Sequence, residues 1–251
     1  MNTQQMFFQA YDRDDVDYGL RPSAELVNCL QQLRPTGRAI DLGAGAGRDT
    51  LALAQAGLDV CAVDLSRRGL SRIVERADQR HLRERIETLA ADARQVELPP
   101  GAYAVIVATT VLCHLPQADG WALWQRMAAA IQSDGIIYAE VHTTEDPGCP
   151  VPPGRDNPNP VSETAAAGVH YFEPGELLRW AVSTPALRVL RYEERLEWDY
   201  THGREHQHGK AVLLAVRSDY FPPWYGHPLA FSRRVHNTLP IATTPAPDRR
   251  A

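Results

Sequence analysis

Ile40-Asp41-Leu42-Gly43-Ala44-Gly45-Ala46-Gly47-Arg48-Asp49 is the stretch on which the reading of the fold turns. It leaves a short apolar run, Arg38–Leu42, and enters a helical pattern, so it reads as a strand-to-helix turn. Glycines in such a turn permit positive φ and let a ligand approach the backbone closely. Their spacing separates ligand classes. The dinucleotide fingerprint G-x-G-x-x-G needs a glycine where Arg48 stands if counted from Gly43, and at Thr50 if counted from Gly45. The pattern present is D-x-G-x-G-x-G, with Asp41 at the strand end. A carboxylate there suits a cationic ligand better than a pyrophosphate.

Working outward, strand-type runs occur at Arg38–Leu42, Leu58–Asp64, Ile86–Asp92, Tyr103–Thr109 and Gly135–His142. The run Tyr103–Thr109 is apolar on both faces, as a central parallel strand should be. Between the runs lie helical patterns. Leu70, Ile73, Val74 and Ala77 recur at helical spacing behind a capping Ser66, and Trp124, Met127, Ala128 and Ile131 do so behind Pro116. A helix over Pro22–Leu33 precedes the first strand. Alternating strands and helices predict an α/β, doubly wound, Rossmann-like and mostly parallel sheet. After the fifth strand, residues 143–169 carry six prolines and read as a lid or loop. A helix near Glu173–Val182 follows, then runs Leu187–Tyr200 and Lys210–Arg217, an antiparallel hairpin at the sheet edge. Residues 1–217 thus read as one domain, and 218–251 as a partly disordered C-terminal extension.

Three acids fall at consecutive strand ends: Asp41, Asp64 and Asp92. Asp64 is placed to accept ribose hydroxyls, with Leu65 beside it, and Asp92 to accept an adenine amino group. Such charge-assisted bonds contribute roughly 1.5–3 kcal/mol each. All three lie at the carboxyl edge of the sheet, where open α/β folds place ligands.

These residues resemble the class I S-adenosylmethionine-dependent methyltransferases over roughly residues 36–142. Within that class the chain looks most like the tellurite-resistance methyltransferases and their small-molecule relatives. The supporting segments are Tyr18-Gly-Leu-Arg-Pro-Ser23, Thr110-Val-Leu-Cys-His-Leu115, Phe172-Glu-Pro-Gly-Glu-Leu-Leu178 and the closing Ala211–Arg217. The proline-rich lid, the hairpin residues and the 218–251 extension depart from that group. The resemblance implies S-adenosylmethionine as cofactor. Asp41, Gly43, Gly45 and Gly47 would line its methionine part, Asp64 and Leu65 its ribose, Asp92 and Ala93 its adenine, and Thr109 and Thr110 the side facing the methyl group.

Methyl transfer is an in-line displacement at an activated carbon, so the protein chiefly aligns the reactants and excludes water. A thiolate or reduced metalloid needs no general base, whereas a hydroxyl or ammonium does. Candidate bases are His114 and His142, both just past strand ends that face the cofactor edge. His206 and His208 alternate on a strand and share a face; they are candidate substrate contacts, together with Tyr11 and Arg21 near the start. No acid or cysteine with clear ligand spacing joins the two hairpin histidines, so no metal site is expected. Cys113 reads as packing.

Bulk properties narrow the partners. Net charge is −5, hydrophobic residues make up 44%, and Lys210 is the sole lysine, so no basic surface is present to track a phosphate backbone. No nucleic-acid partner is therefore expected. The sequence shows neither a signal-peptide pattern nor an apolar run of membrane-spanning length, and its four cysteines are scattered. These observations predict a cytoplasmic enzyme with a small-molecule substrate and no membrane partner. Two alternatives stand beside the methyltransferase: an NAD(P)-dependent reductase and a non-catalytic module that binds S-adenosylmethionine.

Overall fold

A computed structural model describes residues 21–150, 159–162, 165–200 and 204–222. Seven strands form one sheet in the order β3-β2-β1-β4-β5-β7-β6. They are β1 Arg38–Leu42, β2 Asp59–Asp64, β3 Ile86–Ala90, β4 Tyr103–Thr109, β5 Ile131–His142, β6 Leu187–Asp199 and β7 His206–Arg217. The first five are parallel, whereas β7 runs antiparallel between β5 and β6. The doubly wound sheet with its antiparallel edge hairpin is thus as the sequence predicts.

Among the described residues, five α-helices flank the sheet: α1 Ala24–Leu33, α2 Arg48–Gln55, α3 Arg67–Gln79, α4 Gln117–Ala130 and α5 Glu176–Val182. Strand side chains alternate between two cores. Ala39, Val105, Val107, Ile136, Tyr138, Val212 and Leu214 pack with Leu26 of α1, Leu51 of α2 and Ile73 of α3. Ile40, Ile106, Ile137, Ala139 and Leu213 pack with Trp124 of α4 and Trp180 of α5. This period-two rule fixes which polar residues share a face. Asp41 on β1, Glu140 and His142 on β5, and His208 and Lys210 on β7 all carry the parity of the α1–α3 face. No helix among the described residues is long and apolar enough to cross a membrane.

Several boundaries differ from the sequence reading. Ile131 does not end α4; it opens β5 and pairs with Tyr103 at the start of β4. The third strand stops at Ala90, leaving Asp92 two residues beyond it. Pro174 and Gly175, the latter at φ +72°, delay α5 to Glu176. The hairpin's return strand begins at His206 rather than Lys210, because residues 206–209 pair with 196–199 of β6. Of the 143–169 segment, the described ends are pinned to the sheet. Thr143 bridges Phe172, and the Phe172 amide donates to the His142 carbonyl at 2.9 Å. The segment 223–251 and its assigned disorder lie outside the described residues.

The glycine turn is held from both sides. The amides of Gly43 and Ala44 donate to the Val63 carbonyl at 2.8 and 2.9 Å, and Gly43, Gly45 and Gly47 all adopt positive φ. A Cβ at Gly47 would lie 2.8 Å from Ile73 Cγ1, and Gly47 has φ +92°. Gly57 has nearly the same φ, +93°, but nothing within 4 Å of its Cβ position. Gly47→Ala should therefore cost more than the strain alone, whereas Gly57→Ala should show only the backbone cost of about 1 kcal/mol. Urea unfolding of the two variants measures the difference; equal losses would mean that the contact with α3 contributes nothing.

Candidate active site

The carboxyl ends of β1, β4 and β5, with the amino-terminal end of the antiparallel β7, open into a cavity of about 730 Å³. Asp41, Gly43, Gly45, Thr109 and Thr110 form one part of its wall, and His114, His142, His208 and Arg21 another. Gly47, Asp64, Leu65, Asp92, Ala93 and His206 lie outside that wall. Tyr11 and Tyr18 fall outside the described residues.

Asp41 is 2% exposed, and the Thr50 hydroxyl donates to it at 2.6 Å. Burial, and then the neighbouring charge of Asp49, push its carboxyl up to about 7. Arg48 and the Thr50 hydroxyl pull the other way without offsetting this, so the buried carboxylate is under-compensated among the described residues. Asp49 is itself tied down: the Ser23 amide donates to it at 3.2 Å, the Thr109 hydroxyl at 2.8 Å, and Arg48 Nη2 at 2.9 Å. Arg48 also reaches the Ser23 hydroxyl. Glu140 accepts from Ser23 and Tyr138, with Lys210 Nζ at 3.9 Å. Burial pushes the Glu140 carboxyl up, but Arg48 and Lys210 outweigh it and hold the group at about 2. The rim of the sheet is thus a buried charge network that joins α1, α2, β4, β5 and β7.

Asp64 turns both oxygens toward backbone. Oδ2 accepts from Gly45 N at 2.8 Å and Oδ1 from Ser66 N at 2.7 Å, while burial pushes its carboxyl up. It therefore shapes the glycine loop as well as standing beside it. Asp92 is gripped by Arg94, whose Nε and Nη2 lie 3.0 and 2.6 Å from its two oxygens and hold its carboxyl low. A contact between Asp92 and an adenine amino group requires Arg94 to yield. Ala93 is buried in the α4–α5 core. Thr110 sits at φ +55°, a strained position for a threonine, with its amide on the Glu140 carbonyl at 2.8 Å.

His114 lies at the end of a 3-10 turn, Leu112–His114, and its Nδ1 is 3.1 Å from the Ala167 carbonyl. A carbonyl only accepts, so the proton sits on Nδ1 and the lone pair on Nε2. Burial pushes His114 down to about 4 and lowers His142 as well, so both imidazoles are neutral at neutral pH. Their rings lie 6.2 Å apart. Cys113 is buried beside them, as expected.

The hairpin histidines differ most from the sequence reading. His206 and His208 are 1% and 7% exposed, and their Nε2 atoms are 3.0 Å apart. Contrary to the reading that no acid joins them, Asp146 Oδ2 lies 2.9 Å from His208 Nδ1 and 3.2 Å from His142 Nδ1. Asp199 Oδ2 is 3.8 Å from His208 Nε2. Asp146 was concealed because it sits on the irregular loop, four residues past His142. Arg48, Asp49, Glu140 and Lys210 were likewise unassigned, although a lone lysine in an arginine-rich chain that proves 7% exposed was one available signal.

With this geometry in view, the comparisons with known proteins align. The family profile described as "Methyltransferase domain" matches residues 39–135, the span from β1 into β5. No curated protein sequence matches the chain. Among solved structures, TehB from Haemophilus influenzae superposes with a TM-score of 0.61 at 20% identity, covering 86% of this chain and 67% of that one. The 1,6-didemethyltoxoflavin-N1-methyltransferase of Burkholderia thailandensis, with bound 1,6-didemethyltoxoflavin and S-adenosylhomocysteine, gives 0.60 at 17% identity, covering 86% and 87%. The [4+2]-cyclase SpnF gives 0.55 at 14% identity, covering 85% and 92%.

The unbalanced charge of Asp41 has a measurable consequence. Its carboxyl is raised in the folded state, so between the unfolded value near 3.8 and about 7 the native chain holds a proton that the unfolded chain has lost. Stability therefore falls as pH rises through that window. Asp41→Asn should raise the stability of the ligand-free protein at pH 8 by about 1 kcal/mol or more, with the gain vanishing near pH 4. Denaturant titrations at the two pH values test it; a loss of stability at pH 8 would contradict the assignment.

Proposed function

We propose that this chain, whose residues 39–135 match a methyltransferase domain profile, is a class I enzyme that uses S-adenosylmethionine to methylate a small molecule seated in the cavity between the glycine loop and the β6–β7 hairpin. The observation that carries this reading is that one enclosure is walled both by Asp41 with its glycine loop and by the histidines of β5 and β7. Asp41 and the glycines hold the methionine end of the cofactor, with its α-ammonium as the counter-ion that Asp41 lacks. Asp64 holds ribose, and Thr109 and Thr110 flank the methyl group. The acceptor occupies the hairpin side, where Trp198 and Tyr200 stack at the cavity wall with ring centroids 6.2 Å apart.

Charge selects among acceptors. Among the described residues, the cavity wall carries seven carboxylates against four cationic side chains. That excess favours a neutral or cationic acceptor, such as a phenol or an amine, and disfavours a metalloid oxyanion. An acceptor of this kind surrenders a proton as its lone pair attacks the methyl carbon. His114, with its lone pair on Nε2 and its ring on the cavity wall, is placed to take that proton, while His142 is turned to Asp146. The sulfonium becomes a neutral thioether as the proton passes to His114, so the positive charge moves from sulfur to the imidazole and leaves the site when that proton is released to solvent.

Release of S-adenosylhomocysteine across panels of amines, phenols, thiols and metalloid oxyanions tests the reading. Turnover is expected with amines or phenols and not with tellurite; release with oxyanions alone would overturn the acceptor class. Asp64→Ala should weaken S-adenosylmethionine binding by tenfold or more, in line with about 1.5–3 kcal/mol for a charge-assisted hydrogen bond. Unchanged affinity would reject the ribose assignment. His114→Ala should lower kcat roughly 100-fold or more with little change in cofactor affinity; near-normal turnover would remove His114 as the base.

A further inference from the structure

The geometry points to a divalent transition-metal site formed by His142, Asp146 and His208 on the wall of the acceptor cavity. Hydrogen-bond directions lead to it. His206 Nδ1 lies 2.7 Å from the Arg204 carbonyl, which can only accept, so His206 carries its proton on Nδ1 and a lone pair on Nε2. That lone pair faces His208 Nε2 at 3.0 Å, so the proton of a neutral His208 sits on Nε2, 3.8 Å from the Asp199 carboxylate. His208 Nδ1 meets Asp146 Oδ2 at 2.9 Å, a contact that either a proton or a cation can hold together. On the other side, the buried His142 Nδ1 has the same Oδ2 3.2 Å away and no well-formed hydrogen bond among the described residues.

Three donor atoms that converge in this way fit a cation between them. Bonds of about 2.0–2.2 Å to imidazole and carboxylate place neighbouring ligand atoms about 2.8–3.6 Å apart across octahedral and tetrahedral geometries. The observed separations of 2.9 and 3.2 Å fall in that interval, and the three residues' donor atoms all lie within 4.8 Å of one another. The outer contacts match those of a bound metal. His206 backs His208, and Asp146 is oriented by the amides of Gly148 at 2.7 Å and Gly209 at 3.1 Å. A Cβ at position 209 would lie 2.4 Å from Asp146 N, so glycine there lets the loop lie against β7 and bring its acid between the histidines.

Two imidazoles and one carboxylate leave coordination positions open, and all three residues line the cavity. That arrangement suits a first-row divalent ion that also takes the acceptor's heteroatom as a ligand. This last step rests on the acceptor assignment above; the ion site itself does not.

Tag-free, full-length protein stripped with chelator and titrated with Co²⁺ gives the direct test, by its d–d absorption, followed by Zn²⁺ competition. One Co²⁺ per chain with micromolar or tighter affinity is expected, displaced by Zn²⁺. Asp146→Asn and His208→Ala should each weaken binding about 100-fold, whereas His170→Gln, at a histidine paired with Glu176, should not. The proposal is overturned if the wild-type chain takes up no ion, as it would if His208 were an imidazolium paired with Asp146. It is also overturned if uptake survives both ligand substitutions in folded protein. Because the readout is ion binding, either failure leaves the methyl-transfer reading standing.

Discussion

A carboxylate at the end of the first strand, removed from water and met by one hydroxyl, is the constraint around which this molecule is arranged. Asp41 cannot be relieved by relaxation, because β2 and β4 pair on both sides of β1. Arg48 relieves it only in part, since that guanidinium makes its hydrogen bonds to Asp49 and the Ser23 hydroxyl. What remains is to bind a proton or a cation. A ligand that brings a fixed positive charge to this rim is bound where the protein has left a deficit.

The strand alternation that makes two cores also gathers the chemistry. Positions 41, 140, 142, 208 and 210 fall on one parity, so a single face at this rim receives the charged and imidazole groups that the strands contribute. The antiparallel insertion of β7 beside β5 completes it. In a purely parallel sheet the neighbour of β5 would bring its opposite end to this rim; here the beginning of β7 arrives there, with His208 and Lys210. The irregular segment after β5 then supplies Asp146 from above.

Legibility followed local physics. The glycine spacing, the strand-end acids and the apolar runs are properties of short stretches, and they sufficed for the topology and the cofactor class. Ile131 was misread because helical spacing continues through it, whereas its pairing with Tyr103 is a non-local demand. The surroundings of the hairpin histidines were hidden because His206 and His208 alone give no sign of their partners. Asp146, which meets His208, lies 62 residues earlier, on a proline-rich irregular segment. Asp92 stands two residues past the end of β3 rather than on it, and its pairing with Arg94, two residues on, is a contact that no strand-end pattern displays. A pattern reports where a group sits more reliably than what it touches.

The most direct test of the central claim is calorimetry of S-adenosylmethionine binding near pH 6.5 in buffers of different ionisation enthalpy. If the cofactor's positive charge is the missing partner of Asp41, binding ionises that carboxyl, and the measured heat varies with buffer by a substantial fraction of one proton released per site. Tight binding with a heat independent of buffer would contradict the account, because it would show that the cofactor leaves Asp41 as it found it.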